Sequence, residues 1–324
     1  MKRTMCAALA ALASAAVPAA AAPLFTENFD TNATTRWSTP IVDAEIGVFD
    51  GSVIYGFDYT PIGIPAAPNG GGKALFMEVN LNNQTGAQGE SVVILANDVT
   101  LPSGNFKLTM DVWFNVESSN GGTTEFGVFG VHAAAPNDPT NDAVTDDAPF
   151  QFGISNGNGL SWIASGDSGA SNDFVRFVDP NNAGGGSQLN LGNYDSRPPI
   201  PGLADQSGLG PRNTWIEVGI EKTGSTYIFS INGSPIDTYE DVGGVLSGGT
   251  IMVGYNDAFN SVADLNLQPG PDPNPLVDDG LWEGDELFGS AHFILIDNIV
   301  LVPEPTSATL GFLAFAVFVA RRRS

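Results

Sequence analysis

Between Phe106 and Val116 apolar and polar side chains alternate without a fault. Phe106, Leu108, Met110, Val112, Phe114 and Val116 fall on one face, and Lys107, Thr109, Asp111, Trp113 and Asn115 on the other. A period of two sustained over that length predicts a long strand buried on one side. Similar runs cover residues 24–29, 74–79, 91–95, 126–132, 150–154, 174–178, 215–220, 227–231, 250–255 and 292–301. Helical periodicity is confined to the two ends. The 39 glycines and 22 prolines punctuate the runs, and no fixed-length repeat is present. An all-β domain of many short strands joined by turns follows.

Turn chemistry places two hairpins. Residues 215–221 lead through Lys222-Thr223-Gly224-Ser225 into 226–231, and Asn232-Gly233 then turns the chain toward Pro235-Ile236-Asp237. Asn-Gly is a strong hairpin signal because both residues accept positive φ. The passage Trp215-Ile216-Glu217-Val218 followed by Tyr227-Ile228-Phe229-Ser230-Ile231-Asn232-Gly233 resembles the central hairpins of concanavalin A-like lectin/glucanase sandwiches, including laminin-G-like modules. The opening Phe25-Thr26-Glu27-Asn28-Phe29-Asp30 with Trp37, and the closing 293–301 with Ile296-Asp297-Asn298-Ile299, resemble the first and last strands of such domains. The resemblance implies one antiparallel jelly-roll β-sandwich over residues 22–302, with its terminal strands in the same unit.

Both ends carry targeting signals. Lys2 and Arg3 precede an alanine-rich apolar stretch over 7–17, then Pro18 and more alanines, the order of a secretory signal peptide. Cleavage after Ala21 keeps Pro23 away from the scissile bond, so residues 1–21 are assigned to a signal helix removed by signal peptidase after Sec export. At the other end Pro303-Glu304-Pro305 precedes fifteen uncharged residues, 306–320, and then Arg321, Arg322 and Arg323. The arginines hold the far end of the run on the cytoplasmic side of a bilayer. At about 1.5 Å per residue the run spans roughly 22 Å as a short transmembrane helix, less than the ~30 Å hydrocarbon core. Residues 303–324 resemble the PEP-CTERM sorting signal of exopolysaccharide-producing Gram-negative bacteria. That resemblance implies recognition of Pro303, Glu304 and Pro305 by an exosortase-type membrane protease, transient residence in the inner membrane, and delivery to the cell surface or extracellular matrix.

The remaining body holds seven basic residues against 35 acidic ones, a formal charge of −28. Nucleic acid is excluded as a partner, because phosphate binding needs clustered cations. The single cysteine, Cys6, lies in the signal segment, so no disulfide staples the mature chain.

Catalytic chemistry is hard to find. The glucanase branch of the resembled fold implies a Glu-x-Asp-x-x-Glu strand whose carboxylates flank the scissile bond. Glu283-Gly284-Asp285-Glu286 comes nearest, but position 288 is Phe. No Gly-x-Ser-x-Gly elbow is present, and His132 and His292 fall on separate predicted strands, better read as satisfied strand histidines than as a zinc site. Calcium is the more plausible ion. Related carbohydrate-binding sandwiches imply a structural Ca²⁺ near the first and last strands, where Glu27, Asp30 and Asp297 match by location. The alternative for Asp297 is a buried aspartate bonded to backbone. Asn137, Asp138, Asp142, Asp146 and Asp147 form a separate acidic loop without the Asp-x-Asp-x-Asp-Gly order.

A sugar ring stacks on a flat aromatic while carboxylates and amides take its hydroxyls. Trp113 between Asp111 and Asn115 offers that combination if its face meets solvent, and is otherwise covered by a loop or second layer. Trp162 and Trp282 read as lying in or beside loops. The expected protein is an exported, non-catalytic surface or exopolysaccharide-matrix protein with a possible glycan ligand. Its alternatives are a secreted polysaccharide-cleaving glycoside hydrolase and a purely structural envelope protein.

Overall fold

A computed structural model describes residues 21–31, 33–44, 51–79, 90–116, 125–134, 159–168, 172–179, 187–257 and 292–304. Residues 1–20 of the signal segment, the run at 150–154, the acidic loop at 136–147, Trp282 and residues 305–324 lie outside these. Among the described residues no helix is long and apolar enough to cross a membrane.

Among the described residues fifteen strands form two antiparallel sheets. The first sheet orders β13 (Ser234–Glu240), β12 (Thr226–Ile231), β11 (Trp215–Thr223), β6 (Phe106–Asn115), β15 (Phe293–Pro303), β4 (Lys73–Glu78) and β3 (Ser52–Asp58), with β1 (Phe25–Glu27) also on β15. The second orders β10 (Ser187–Gly192), β9 (Phe174–Asp179), β8 (Gly159–Ser165), β7 (Glu125–Ala133), β14 (Thr250–Asp257), β5 (Glu90–Leu95) and β2 (Ile41–Ala44). The first and last strands pair directly, Phe25 opposite Leu301 and Glu27 opposite Ile299. β15 continues through Pro303, so the first proline of the Pro-Glu-Pro box belongs to the sheet.

Alternation explains the inner core. Leu75, Met77, Leu108, Met110, Val112, Phe114, Ile294 and Ile296 of the first sheet share one buried cluster with Val92, Ile94, Phe129, Leu160, Trp162, Val253 and Tyr255 of the second. Trp162, expected in or beside a loop, lies in the middle of β8: its indole stacks on Phe229 at 5.3 Å and donates to Asp237 Oδ2 at 2.8 Å. Arg176 donates to the same oxygen, so Asp237 clasps the two sheets together.

The outer faces depart from the one-sided burial that β6 predicts. Val93, Phe126, Val128, Val175 and Met252 of the second sheet are buried as a separate cluster. On the first sheet Phe57, Tyr59, Phe76, Trp113, Phe293 and Leu295 form a third. Strands covered on both faces read as continuous apolar runs, as β5 and β7 do, so period two weakens there.

Candidate functional site

Asp297 is the polar interruption of the most apolar strand in the chain, Phe-Ile-Leu-Ile-Asp-Asn-Ile-Val-Leu-Val. A β-bulge gives it its place. The register of β15 against β6 slips between Asp297 and Val300, and Asn298 takes the left-handed φ of 50°. Bulges re-aim side chains in this way. The result sets Asp297 directly opposite Asp111 on the outer face of the first sheet, and Asp111 is in turn opposite Glu217 of β11. Like charges facing each other across a ladder are destabilising. Asp297 is fully buried and Asp111 is nearly so.

Few hydrogen bonds relieve that arrangement. Asp297 Oδ1 accepts from the Asn298 N–H at 2.7 Å, and Asn298 Nδ2 donates to Asp111 Oδ2 at 2.8 Å. Asp297 Oδ2 is buried with no hydrogen-bond partner. Burial, reinforced by the carboxylates of Asp111, Asp30 and Glu27, pushes the Asp297 carboxyl up to about 7 against the Asn298 N–H.

Glycine makes room for the pair Asp30 and Asp297. A Cβ on Gly70 would fall 2.1 Å from Asp297 Oδ2, and one on Gly71 2.3 Å from Asp30 Oδ1. The backbone over 70–71 therefore lies against both carboxylates, a cradle lined by oxygen. Glu27 is committed elsewhere: its carboxylate accepts from Arg36 Nη1 at 2.8 Å and from the Phe29 N–H at 3.0 Å. Of the three residues expected to hold calcium, Asp30 and Asp297 converge on the glycines, while Glu27 is neutralised by Arg36. Among the described residues no group of three or more histidine, cysteine, aspartate or glutamate side chains is arranged to hold a metal ion. The orphaned oxygen and the glycine cradle nevertheless suit a hard cation, whose remaining oxygens would come from backbone carbonyls and water.

Beside this cluster a cleft of about 380 Å³ opens, lined by Thr26, Glu27, Asn28, Thr31, Thr35, Arg36 and Asn298 among others. Arg36 organises it: Nη1 also donates to the Thr26 carbonyl, Nε donates to Asp98 at 2.7 Å, and the guanidinium lies 4.4 Å over the Phe25 ring. Hydroxyls, amides and one fixed guanidinium therefore face the opening.

The Trp113 platform is closed. Trp113 keeps 7% of its surface, its indole stands 5.8 Å from Trp215, and Tyr59 packs on Trp215 at 5.5 Å. Trp215 Nε1 donates to the Pro65 carbonyl, fixing the covering segment over 59–67. Asp111 belongs to the aspartate pair beneath that cover, and Asn115 is half-buried at the end of β6. Asp111 and Trp113 of the polar face of β6 are thus buried in a second layer, while Lys107, Thr109 and Asn115 stay half-buried; Tyr59 and its neighbours carry no sequence pattern to mark them as a lid.

Both histidines are satisfied in place. His132 Nδ1–H donates to the Gly248 carbonyl and Nε2 accepts from the Tyr227 hydroxyl at 2.9 Å, while burial lowers the imidazole pKa. His292 pairs with Glu125 at 2.5 Å. Sequence reasoning missed Asn298, Arg36 and the Gly70-Gly71 pair; the one available signal was Asp297, a charged residue in an otherwise apolar strand.

No protein-family model and no curated protein matches the chain. Among solved structures it is similar to a Bacillus subtilis protein of unknown function with a galectin-like fold, at 10% identity and TM-score 0.42 over 88% of this chain and 97% of that one. It is also similar to the carbohydrate-binding module CBM66 from Bacillus subtilis, at 11% identity and TM-score 0.34 over 82% and 95%. An endo-β-1,4-glucuronan lyase from Trichoderma reesei matches at 10% identity and TM-score 0.41 over 87% and 96%. TM-scores below 0.5 mark loose likeness, from which neither activity nor ligand follows.

Proposed function

We propose that the chain is an exported, non-catalytic sandwich of the concanavalin A-like type, resident at the cell surface or in an exopolysaccharide matrix, that binds a neutral glycan in the Arg36 cleft. The observation that carries this reading is the cleft lining. Thr26, Asn28, Thr31, Thr35 and Asn298 present donors and acceptors suited to sugar hydroxyls, and Arg36 is held rigid by two carboxylates. With Glu27 and Asp98 neutralising that one cation, an anionic sugar finds no unpaired positive charge. Hydrolysis is disfavoured because the aspartates that stand close together, Asp111 and Asp297, are buried beneath residues 59–72.

The same reading gives Asp30 and Asp297 a structural Ca²⁺ in the Gly70-Gly71 cradle. When bound, such an ion supplies positive charge that relieves the carboxylate repulsion and ties β15 to the loop. It takes no part in chemistry. Delivery follows the tail: Pro303, Glu304 and Pro305 are the recognition box for an exosortase-type protease.

A glycan array with the mature chain, with and without calcium, tests the binding reading. Neutral glycans should bind, and Thr35→Val should abolish the signal without changing the melting temperature. An array blank for the wild type would favour the structural envelope protein instead. Mass spectrometry of the protein from its own host tests delivery, where material lacking residues 306–324 is expected and an intact Arg321-Arg322-Arg323 end in released protein would count against it.

A further inference from the structure

Six large apolar side chains are conspicuously exposed among the described residues, and three of them gather at one end of the sandwich. Val242 is 90% exposed, Val245 49% and Leu24 48%. Strand directions fix that end. It is where β6 begins, β11 ends, β12 begins, β13 ends and β15 ends, with Leu24 N–H donating to the Leu301 carbonyl at 2.8 Å. The chain also leaves the sheet here: Pro303 is opposite Phe106, and the Glu304 N–H donates to the Asn105 carbonyl at 3.1 Å.

The exposure of Val242 and Val245 is built in. Asp241 is buried, and its carboxylate accepts the N–H groups of Val245 at 3.1 Å and Leu246 at 3.0 Å. Leu246 is buried, so the turn is anchored from inside and carries the two valines outward. From β13 to β1 is five strand spacings, roughly 24 Å at about 4.8 Å each, so the valines and Leu24 stand as feet on opposite sides of the end face. Glu240 accepts from the Ser225 and Thr226 hydroxyls, and Lys222 Nζ donates to the Ser103 carbonyl. The tips themselves are Ser103, Gly104, Thr223, Gly224 and Ser225.

Only Glu304 and Pro305 separate the sheet from the apolar run that starts at Thr306, at most about 7 Å of extended chain. We propose that this end of the sandwich is a lipid-facing surface: while the apolar run is inserted, Leu24, Val242 and Val245 rest in the bilayer interface and hold the domain upright. Isolated exposed hydrophobics need no explanation, but apolar feet around the exit of a membrane segment do. Interfacial burial of such side chains is favourable, and neutral headgroups suit the acidic body better than anionic ones. The assignment rests on the reading of residues 306–323 as a membrane segment.

The test separates the two. Residues 22–324, which contain no cysteine, carrying either Ser103→Cys, on the proposed surface, or Ala204→Cys, on the exposed loop at the opposite end, are labelled with an environment-sensitive fluorophore. Each is reconstituted into phosphatidylcholine vesicles bearing a nitroxide on the headgroup. Flotation reports insertion, and quenching reports proximity. We expect both proteins to float and the label at 103 to be quenched severalfold more than that at 204. Val242→Asp with Val245→Asp should leave flotation unchanged and bring the quenching at 103 down to the level at 204. Equal quenching at the two sites in floated protein would overturn the proposal, as would quenching at 103 unaffected by the two aspartates. Failure to float would remove the underlying reading and the proposal with it. Burial of the label at 103 by self-association without vesicles would assign the surface to a second copy and also overturn it.

Discussion

The turn at Asp241 and the bulge at Asp297 both bury an aspartate, and they solve the problem in opposite ways. Asp241 receives two backbone N–H groups, one for each oxygen. Asp297 receives one, faces Asp111 across the ladder, and leaves Oδ2 without a partner. A carboxylate satisfied by backbone donors is structural, and its charge is part of the fold. One left short of donors beside like charges needs a proton or a cation to be tolerated at all.

The largest effect should come from pH in the absence of calcium. The Asp297 carboxyl is raised from 3.8 to about 7 in the folded chain, so the folded state holds a proton that the unfolded state has released. Its contribution to stability is therefore full below the unfolded value and is lost as pH rises from about 4 to about 7. Asp297→Asn should be more stable than the wild type at pH 7, with the gap closing toward pH 4. Chemical denaturation of both proteins at each pH measures this, and parallel curves would refute it. Calcium should act next. An ion at a hundred times its Kd stabilises by about 2.7 kcal/mol, and it should do so increasingly as pH rises and Asp297 ionises. Any divalent ion screens a charge of −28, so the informative quantity is the calcium increment over magnesium at equal ionic strength. Asp297→Asn should lose it and Asp241→Asn should keep it. Asp241→Ala strands the N–H groups of Val245 and Leu246, costing about 1–3 kcal/mol with or without calcium. Thermal melts of the four proteins decide between the two kinds of aspartate.

Much of the frame was legible because one face of each strand has to be apolar. β4, β5, β6, β7, β9, β11, β12, β14 and β15 follow their runs to within a few residues, and the pairing of β1 with β15 follows from the terminal resemblance. β10 escaped because Ser187, Gln188, Leu189 and Asn190 are all exposed on an edge strand with no buried face to read. β3 escaped because Gly56, at φ 76°, breaks its alternation with a bulge. The site was half legible. Glu27, Asp30 and Asp297 could be placed near each other through the terminal strands. The opposition of Asp111 to Asp297 is a matter of register between strands far apart in the chain, and register does not follow from either strand alone. The cover on Trp113 comes from a segment whose Tyr59, Ile62 and Ile64 carry no periodicity.

The two glycines of the cradle give the smallest and most selective effects. Gly70→Ala drives a Cβ to 2.1 Å from Asp297 Oδ2, with Ala67 Cβ and Asn298 Nδ2 each at 3.0 Å, so nothing on that side can yield cheaply. Overpacking of this kind costs about 1–3 kcal/mol, and it should abolish the calcium increment as well. Gly71→Ala meets Asp30 Oδ1 at 2.3 Å, but Asp30 is exposed and held by an exposed hydrogen bond from Asn28 Nδ2 at 2.7 Å, which water can replace as the side chain swings outward. Without calcium the change should stay within about 0.5 kcal/mol, as for a surface substitution. With calcium the swing removes a ligand oxygen, so the increment over magnesium should fall while the apo protein is unchanged. A Gly71→Ala protein that melts like the wild type in both conditions would show that Asp30 does not reach the ion, and would leave Asp297 with backbone and water oxygens alone.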